Sequence, residues 1–202
     1  MKTKTMGAPV EALRPARTCP LLLFARNFFK HPRMLGSPIP SSQQLIEGVL
    51  QPVNWVEARV IIEYGPGVGS LTVEILRRMH PRAILLAIET NGDFVEYLGE
   101  ALSDPRLRLV HGSAAKTDAL LARHGCGRAD YIISGIPFST MPMGGRETIL
   151  NVTHAALRPQ GAFLVYQYSQ RIFPSLKKIF GDVRRNFLLA KLIPMWLFQC
   201  SR

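Results

Sequence analysis

Acids are scarce in this chain. Its 202 residues hold 14 Asp and Glu against 25 Lys and Arg, for a net charge of +11 and a pI near 10.1. Cysteine is rarer still. Cys19, Cys126 and Cys200 are the three present, too far apart for a C-x-x-C pair, so neither a disulfide framework nor a zinc site is expected. No metal is called for, and a reducing cytoplasm is the expected compartment. Long apolar runs are missing as well: none reaches the ~18–20 residues of a membrane span. The nearest, residues 188–200, is interrupted by Lys191 and Pro194. At the start, Lys2 and Lys4 lead into a Pro- and Arg-containing stretch, not the apolar core of a secretory signal. No internal repeat or low-complexity tract is visible. What remains is 47% hydrophobic, enough for one globular domain with a proper core.

The positive charge sits at the two ends. Residues 1–33 hold seven basic residues against Glu11, and residues 171–202 hold seven against Asp182, while the middle carries 11 basic and 12 acidic residues. A nearly neutral body with basic ends points to a polyanionic partner, nucleic acid or anionic lipid. Residues 21–30 (LLLFARNFFK) form a candidate amphipathic helix, with Leu22, Ala25 and Phe29 on one face and Pro32 limiting its extension. Ser41 or Ser42 is a candidate N-cap for a short helix that follows.

From there the chain alternates. VIIEY (60–64), ILLAIE (84–89), LRLVHG (107–112), YIISGI (131–136) and AFLVYQY (162–168) read as strands, with helical patterns at 70–80, 91–102, 115–124 and 145–157. Near-continuous apolar strands alternating with helices describe a parallel sheet covered on both faces. Two more strands, near 187–193 and 195–200, are expected to meet at Pro194 as an antiparallel hairpin. The expected fold is α/β: a doubly wound, Rossmann-like, seven-stranded sheet with a terminal antiparallel hairpin and an N-terminal amphipathic helix. A ligand is expected at the carboxyl ends of the strands, where the winding reverses.

Residues 60–70 read VIIEYGPGVGS, a β-branched run closed by an acid and then glycines at 65, 67 and 69. A dinucleotide fingerprint, G-x-G-x-x-G, seats a pyrophosphate on the next helix. Here the third glycine arrives one residue early and Glu63 precedes the first. A carboxylate there repels a pyrophosphate and suits a cation. Glu89 ends the second strand, where an acid can accept the hydroxyl protons of a ribose. The third strand ends in His-Gly-Ser, which places Ser113 and Ala114 where an adenine edge is read.

This combination resembles the class I S-adenosylmethionine-dependent methyltransferases. The resemblance implies that Gly65, Gly67 and Gly69 approach the methionyl part of S-adenosyl-L-methionine, with Glu63 nearby and Glu89 on the ribose. Ser113, Ala114 and Ser134 complete the expected cofactor set. Many members carry G-D-A after the third strand; this chain has Gly112-Ser113-Ala114.

Amino-group methyltransferases place a short polar–Pro–aromatic segment, commonly N-P-P-Y, after the fourth strand. Here it reads Ser134-Gly135-Ile136-Pro137-Phe138, with glycine in the Asn position, so the backbone carbonyls and Phe138 are left to hold the amine. LGSPIPSS (35–42), SGIPFSTMP (134–142) and VYQYS (165–169) together resemble the small bacterial phospholipid N-methyltransferases, relatives of the ribosomal RNA adenine dimethylases. The likeness spans roughly residues 20–200, although members often show Q-F-T-Y where this chain has Gln167-Tyr168-Ser169.

The resemblance implies stepwise methylation of phosphatidylethanolamine towards phosphatidylcholine by a cytoplasmic enzyme attached peripherally to the inner face of the cell membrane. Residues 1–33 would form a basic, membrane-facing segment and 34–202 the catalytic domain. Phe138, Tyr166 and Tyr168 are the candidates to face the methylated ammonium, and Arg171 the candidate for the lipid phosphate. His31, His111 and His154 are read as structural. Two rivals stand beside this reading. An RNA adenine methyltransferase is favoured by the pI, but opposed by Gly135 and by the lack of a helical domain after residue 200. The other is a non-catalytic protein that binds cofactor or membrane on the same fold.

Overall fold

The computed structural model describes residues 43–190 and 193–202. The basic segment 1–33 with its helix at 21–30, the 35–42 stretch and Lys191 lie outside these residues. A short helix α1 (Gln43–Leu50) leads into β1 (Val60–Tyr64), α2 (Ser70–Arg78), β2 (Ile84–Glu89), α3 (Gly92–Ala101) and β3 (Leu107–His111). Then follow α4 (Thr117–Arg123), β4 (Ala129–Ser134), α5 (Met143–Ala156), β5 (Leu157–Gln167), α6 (Phe173–Phe180), β6 (Val183–Ala190) and β7 (Ile193–Ser201).

The sheet order is β3-β2-β1-β4-β5-β7-β6. Strands β1 to β5 run parallel, and β7 and β6 close the edge antiparallel. The winding reverses between β1 and β4, so the crevice lies above their carboxyl ends. The apolar runs explain the central strands. Ile61, Ile62, Leu85, Leu86, Ile132 and Ile133 are all sealed from solvent, because alternate residues face two separate cores. One holds Ile62, Leu86, Ile132 and Phe163; the other holds Ile61, Leu85, Ile133 and Leu164. Truncating any of these to alanine should cost about 2–5 kcal/mol.

At the opposite end of the sheet a buried acid does the fastening. Asp130 Oδ2 accepts from the backbone N–H groups of Arg59 and Val60, both at 2.8 Å, and Oδ1 pairs with Arg158. One carboxylate thereby ties the starts of β1, β4 and β5.

Two elements differ from expectation. A helix, α6, follows β5, started by Pro174 in its first turn and buried through Leu176 and Phe180. Pro194, expected where the two strands meet, pairs with Leu189 inside β7, and Ala190 with Ile193 is the last pair of the hairpin. The last β5–β7 pair is Gln167 with Trp196. Pro194 therefore lies beyond the end of β5, where its missing N–H breaks no ladder bond on that side.

Candidate active site

The glycine turn is built from backbone that side chains resist. Gly65, Gly67 and Gly69 have φ of 69°, 57° and 81°, the left-handed region, costing a non-glycine residue roughly 1–2 kcal/mol. A Cβ on Gly67 would meet nothing within 4 Å, whereas one on Gly69 would strike Leu98 at 2.5 Å. Gly69 thus lets the turn pack on α3, and Gly67 leaves open room on the crevice side.

Two buried acids flank the turn. Glu89 Oε1 accepts from the N–H groups of Thr90 (2.7 Å) and Asn91 (2.9 Å), while Oε2 accepts from Gly67 N–H at 3.1 Å. The carboxylate that ends β2 is thereby bound into the glycine turn. The Thr90 hydroxyl also reaches Oε1, at 3.5 Å, so Oε1 is fully engaged, while Oε2, with one partner, keeps a position for a hydroxyl. Glu63 is 2% exposed, and its Oε2 is buried with no hydrogen-bond partner among the described residues. Burial pushes its pKa up to about 8; the Thr72 hydroxyl, outside hydrogen-bonding geometry, pulls it back in part, and the charge of Glu89 raises it further. An orphaned buried acceptor beside an open glycine turn fits a cationic ligand.

The other expected cofactor residues are less direct. Ser113 caps the turn after β3, its side chain accepting from Ala115 N–H at 3.3 Å, and Ala114 is buried in the core. Ser134 is fully buried and its Oγ accepts from Ile136 N–H at 3.2 Å. It shapes the loop after β4. Beneath that end of β1, Tyr64 shares a buried hydroxyl cluster with Thr117 (2.7 Å) and Thr153 (3.3 Å).

The acceptor side departs further from expectation. Phe138, expected to face an ammonium, is 0% exposed and meets Phe163 edge-on at 6.3 Å. Its apolar ring contributes to the core, and that burial withdraws it from the crevice in this structure. The Ile136 carbonyl, one of the loop carbonyls expected to hold the amine, already accepts from Phe138 N–H and from Gln167 Nε2, both at 2.9 Å. Gln167 is buried, with its own Oε1 unpartnered among the described residues; its adjacency to the loop could not be read before β4 and β5 were known to pair. Tyr168 is 37% exposed and Arg171 lies exposed in the following turn. Tyr166, partly buried, reaches Gly135: a Cβ there would lie 2.4 Å from the Tyr166 hydroxyl. His111 meets the Thr90 carbonyl at 3.1 Å and His154 packs edge-on against Phe180, in keeping with structural roles. Among the described residues there is no cluster of His, Cys, Asp and Glu able to hold a metal.

Comparison with known proteins agrees with this geometry. Residues 29–135 match the family described as ribosomal RNA adenine dimethylase. An ornithine lipid N-methyltransferase of Singulisphaera acidiphila is 30% identical over 186 residues, 88% of this chain and 94% of that protein. Ribosomal RNA small subunit methyltransferase A of Shouchella clausii is 25% identical over 128 residues, covering 61% of this chain but only 42% of its own length. Among solved structures, N-methyltransferase NodS of Bradyrhizobium japonicum, in complex with S-adenosyl-L-homocysteine, superposes with a TM-score of 0.61 at 9% identity, over 87% of this chain and 98% of that one. At that identity the likeness speaks for the fold alone.

Proposed function

The chain belongs to the ribosomal RNA adenine dimethylase family and is an S-adenosylmethionine-dependent methyltransferase; from that premise we propose that its acceptor is the primary amine of a membrane-lipid head group. The observation that carries this reading is the length of the likeness. The chain aligns with nearly the whole of a lipid N-methyltransferase, but with less than half of a ribosomal RNA enzyme. Gly135 in place of asparagine supports the same choice, since a side-chain amide is the group that pairs with an adenine edge. Phosphatidylethanolamine, expected from the sequence, and ornithine lipid are the two head groups to test.

S-adenosylmethionine, when bound, supplies a methyl group activated on a sulfonium. The chain's own part is alignment and electrostatics. Glu89, its carboxylate positioned by the Gly67 N–H, would hold the ribose, and Glu63 would lie nearest the cationic end, where ionising it offsets positive charge. The acceptor amine, with a pKa of about 10 in water, has to enter neutral. Desolvation and a nearby cation both lower that pKa, which favours the neutral form without a dedicated base.

Membrane attachment is part of the proposal. Phe187 and Leu189 are 55% and 53% exposed on β6, and they lie at the end of the sheet that carries the crevice, because β6 runs parallel to β5 through β7. Arg185 stands beside them, its guanidinium 4.9 Å from the Phe173 ring. Apolar tips with adjacent cations suit an anionic bilayer, and this attachment would set the enzyme on the inner face of the cell membrane. No helix among the described residues is long and apolar enough to cross a membrane.

The test offers labelled cofactor with vesicles of phosphatidylethanolamine, vesicles of ornithine lipid, or ribosomal RNA. Label in either lipid, identified by mass spectrometry, is the expected result. Label in RNA alone would overturn the lipid reading.

A further inference from the structure

Gly135 and Tyr166 cannot be understood separately. A Cβ on residue 135 would lie 2.4 Å from the Tyr166 hydroxyl oxygen and 3.0 Å from Cζ, so the phenol stands where any other side chain would begin. The Gly65 carbonyl lies 3.4 Å from the same point, and Ile136 lines the other side of Gly65. The hydroxyl therefore enters between the glycine turn after β1 and the loop after β4, at the reversal of winding. Tyr166 is partly buried, not sealed.

The loop needs such a group. A neutral amine attacks through its lone pair while its N–H bonds seek acceptors. Among the loop's backbone carbonyls, that of Ile136 has both lone-pair positions engaged by Phe138 N–H and Gln167 Nε2. The side chain that could substitute is absent at Gly135. Tyr166 brings a phenolic oxygen, donor and acceptor in one atom, to that position.

We propose that Tyr166 makes the side-chain contact to the acceptor nitrogen that residue 135 does not, and that Gly135 and Tyr166 together form one specificity element for alkyl amines. This rests on the lipid-amine reading given above. An asparagine amide offers a planar donor–acceptor pair, the match for a nucleobase edge. A single hydroxyl offers no such pair and accepts a tetrahedral nitrogen from a range of directions. The element thus selects an aliphatic primary or secondary amine over the planar amine of a base.

Tyr166→Phe should lower kcat and kcat/KM together by about tenfold on amine-lipid vesicles, the loss of one hydrogen bond formed in the transition state. Cofactor affinity measured by calorimetry should stay within about twofold of the wild type. A structural role alone would move thermal stability and spare kcat. Independently of turnover, Gly135→Ala should lower Tm, and by clearly less in the Tyr166→Phe background, since the colliding hydroxyl is gone.

Two failures are distinguishable. If the wild type methylates lipid and Tyr166→Phe keeps its kcat, the tyrosine assignment is overturned while the lipid reading stands. If the wild type methylates neither lipid, the reading falls and the specificity element with it. An equal Tm loss for Gly135→Ala in both backgrounds would overturn the steric coupling itself.

Discussion

The two halves of the sheet frame the crevice by different means. On the β1–β2–β3 side the site is backbone and two acids: three glycines with positive φ, Glu89 bound to the turn through Gly67, and Glu63 buried with an open acceptor. On the β4–β5 side it is side chains of one strand gripping the loop of the next. Tyr166 fills the space over Gly135 from one face, and Gln167 bonds the Ile136 carbonyl from the other. A common cofactor asks for a common frame, and a particular acceptor asks for a surface that can be re-cut. The difference lies in what builds each wall: local turn chemistry on one side of the crevice, cross-strand packing on the other.

That contrast can be broken by substitution. The largest effect is expected from Glu89→Ala, which removes charged hydrogen bonds to three backbone N–H groups as well as the proposed ribose contact. Cofactor affinity by calorimetry should fall about 10–100-fold, with vesicle attachment unchanged. Unaltered affinity would take Glu89 out of the site.

Glu63 should make the same half pH-sensitive. Its folded pKa, about 8, lies above that of an unfolded carboxylate, so between about pH 4.5 and 8 the folded state binds more protons than the unfolded one. Its contribution to stability is full below about pH 4.5 and is lost as pH rises through 8. Glu63→Gln should flatten that slope in thermal melts. A cation beside Glu63 favours its ionised form, so cofactor binding below pH 8 should release a proton and tighten as pH rises towards 8. Calorimetry in buffers of different ionisation enthalpy measures this; an identical proton count in Glu63→Gln would exclude Glu63 as the source.

On the other half the effects should be smaller and confined to the acceptor. Gln167→Leu removes one bond to the Ile136 carbonyl, and kcat/KM for lipid should drop about fivefold with cofactor affinity intact. The smallest effect is expected from Arg171→Ala, a weakening of vesicle attachment by less than about fivefold that fades as salt rises. Attachment indifferent to salt in the wild type would remove the electrostatic part of the membrane proposal.

The two halves were also unequally legible. The bounds of β1 and β2 coincide with their apolar runs, because a strand buried on both faces needs no partner to be recognised. Glu63, Gly65, Gly67, Gly69 and Glu89 lie around one turn, and their grouping is readable because turn chemistry is local. Phe138 looked like a site aromatic from its motif, yet its place was decided by Phe163, 25 positions on and across a strand pair. Gln167 carries no motif signal and Tyr166 is equivalent to Tyr168 along the sequence for the same reason: what matters is the register of β4 against β5, Ser134 opposite Val165. Helix α6 gives a weak periodic signal, one short run of apolar spacing around Lys177 and Lys178; Pro174 in its first turn is the available cue.

The crowding at Gly135 has a structural consequence. Oxygen and Cβ contend for one volume, so a side chain at residue 135 is admitted only if the Tyr166 ring swings aside or loses its hydroxyl. The rotamer of one residue thus reports the identity of the other, and neither position can be exchanged without the exchange being felt across the strand pair.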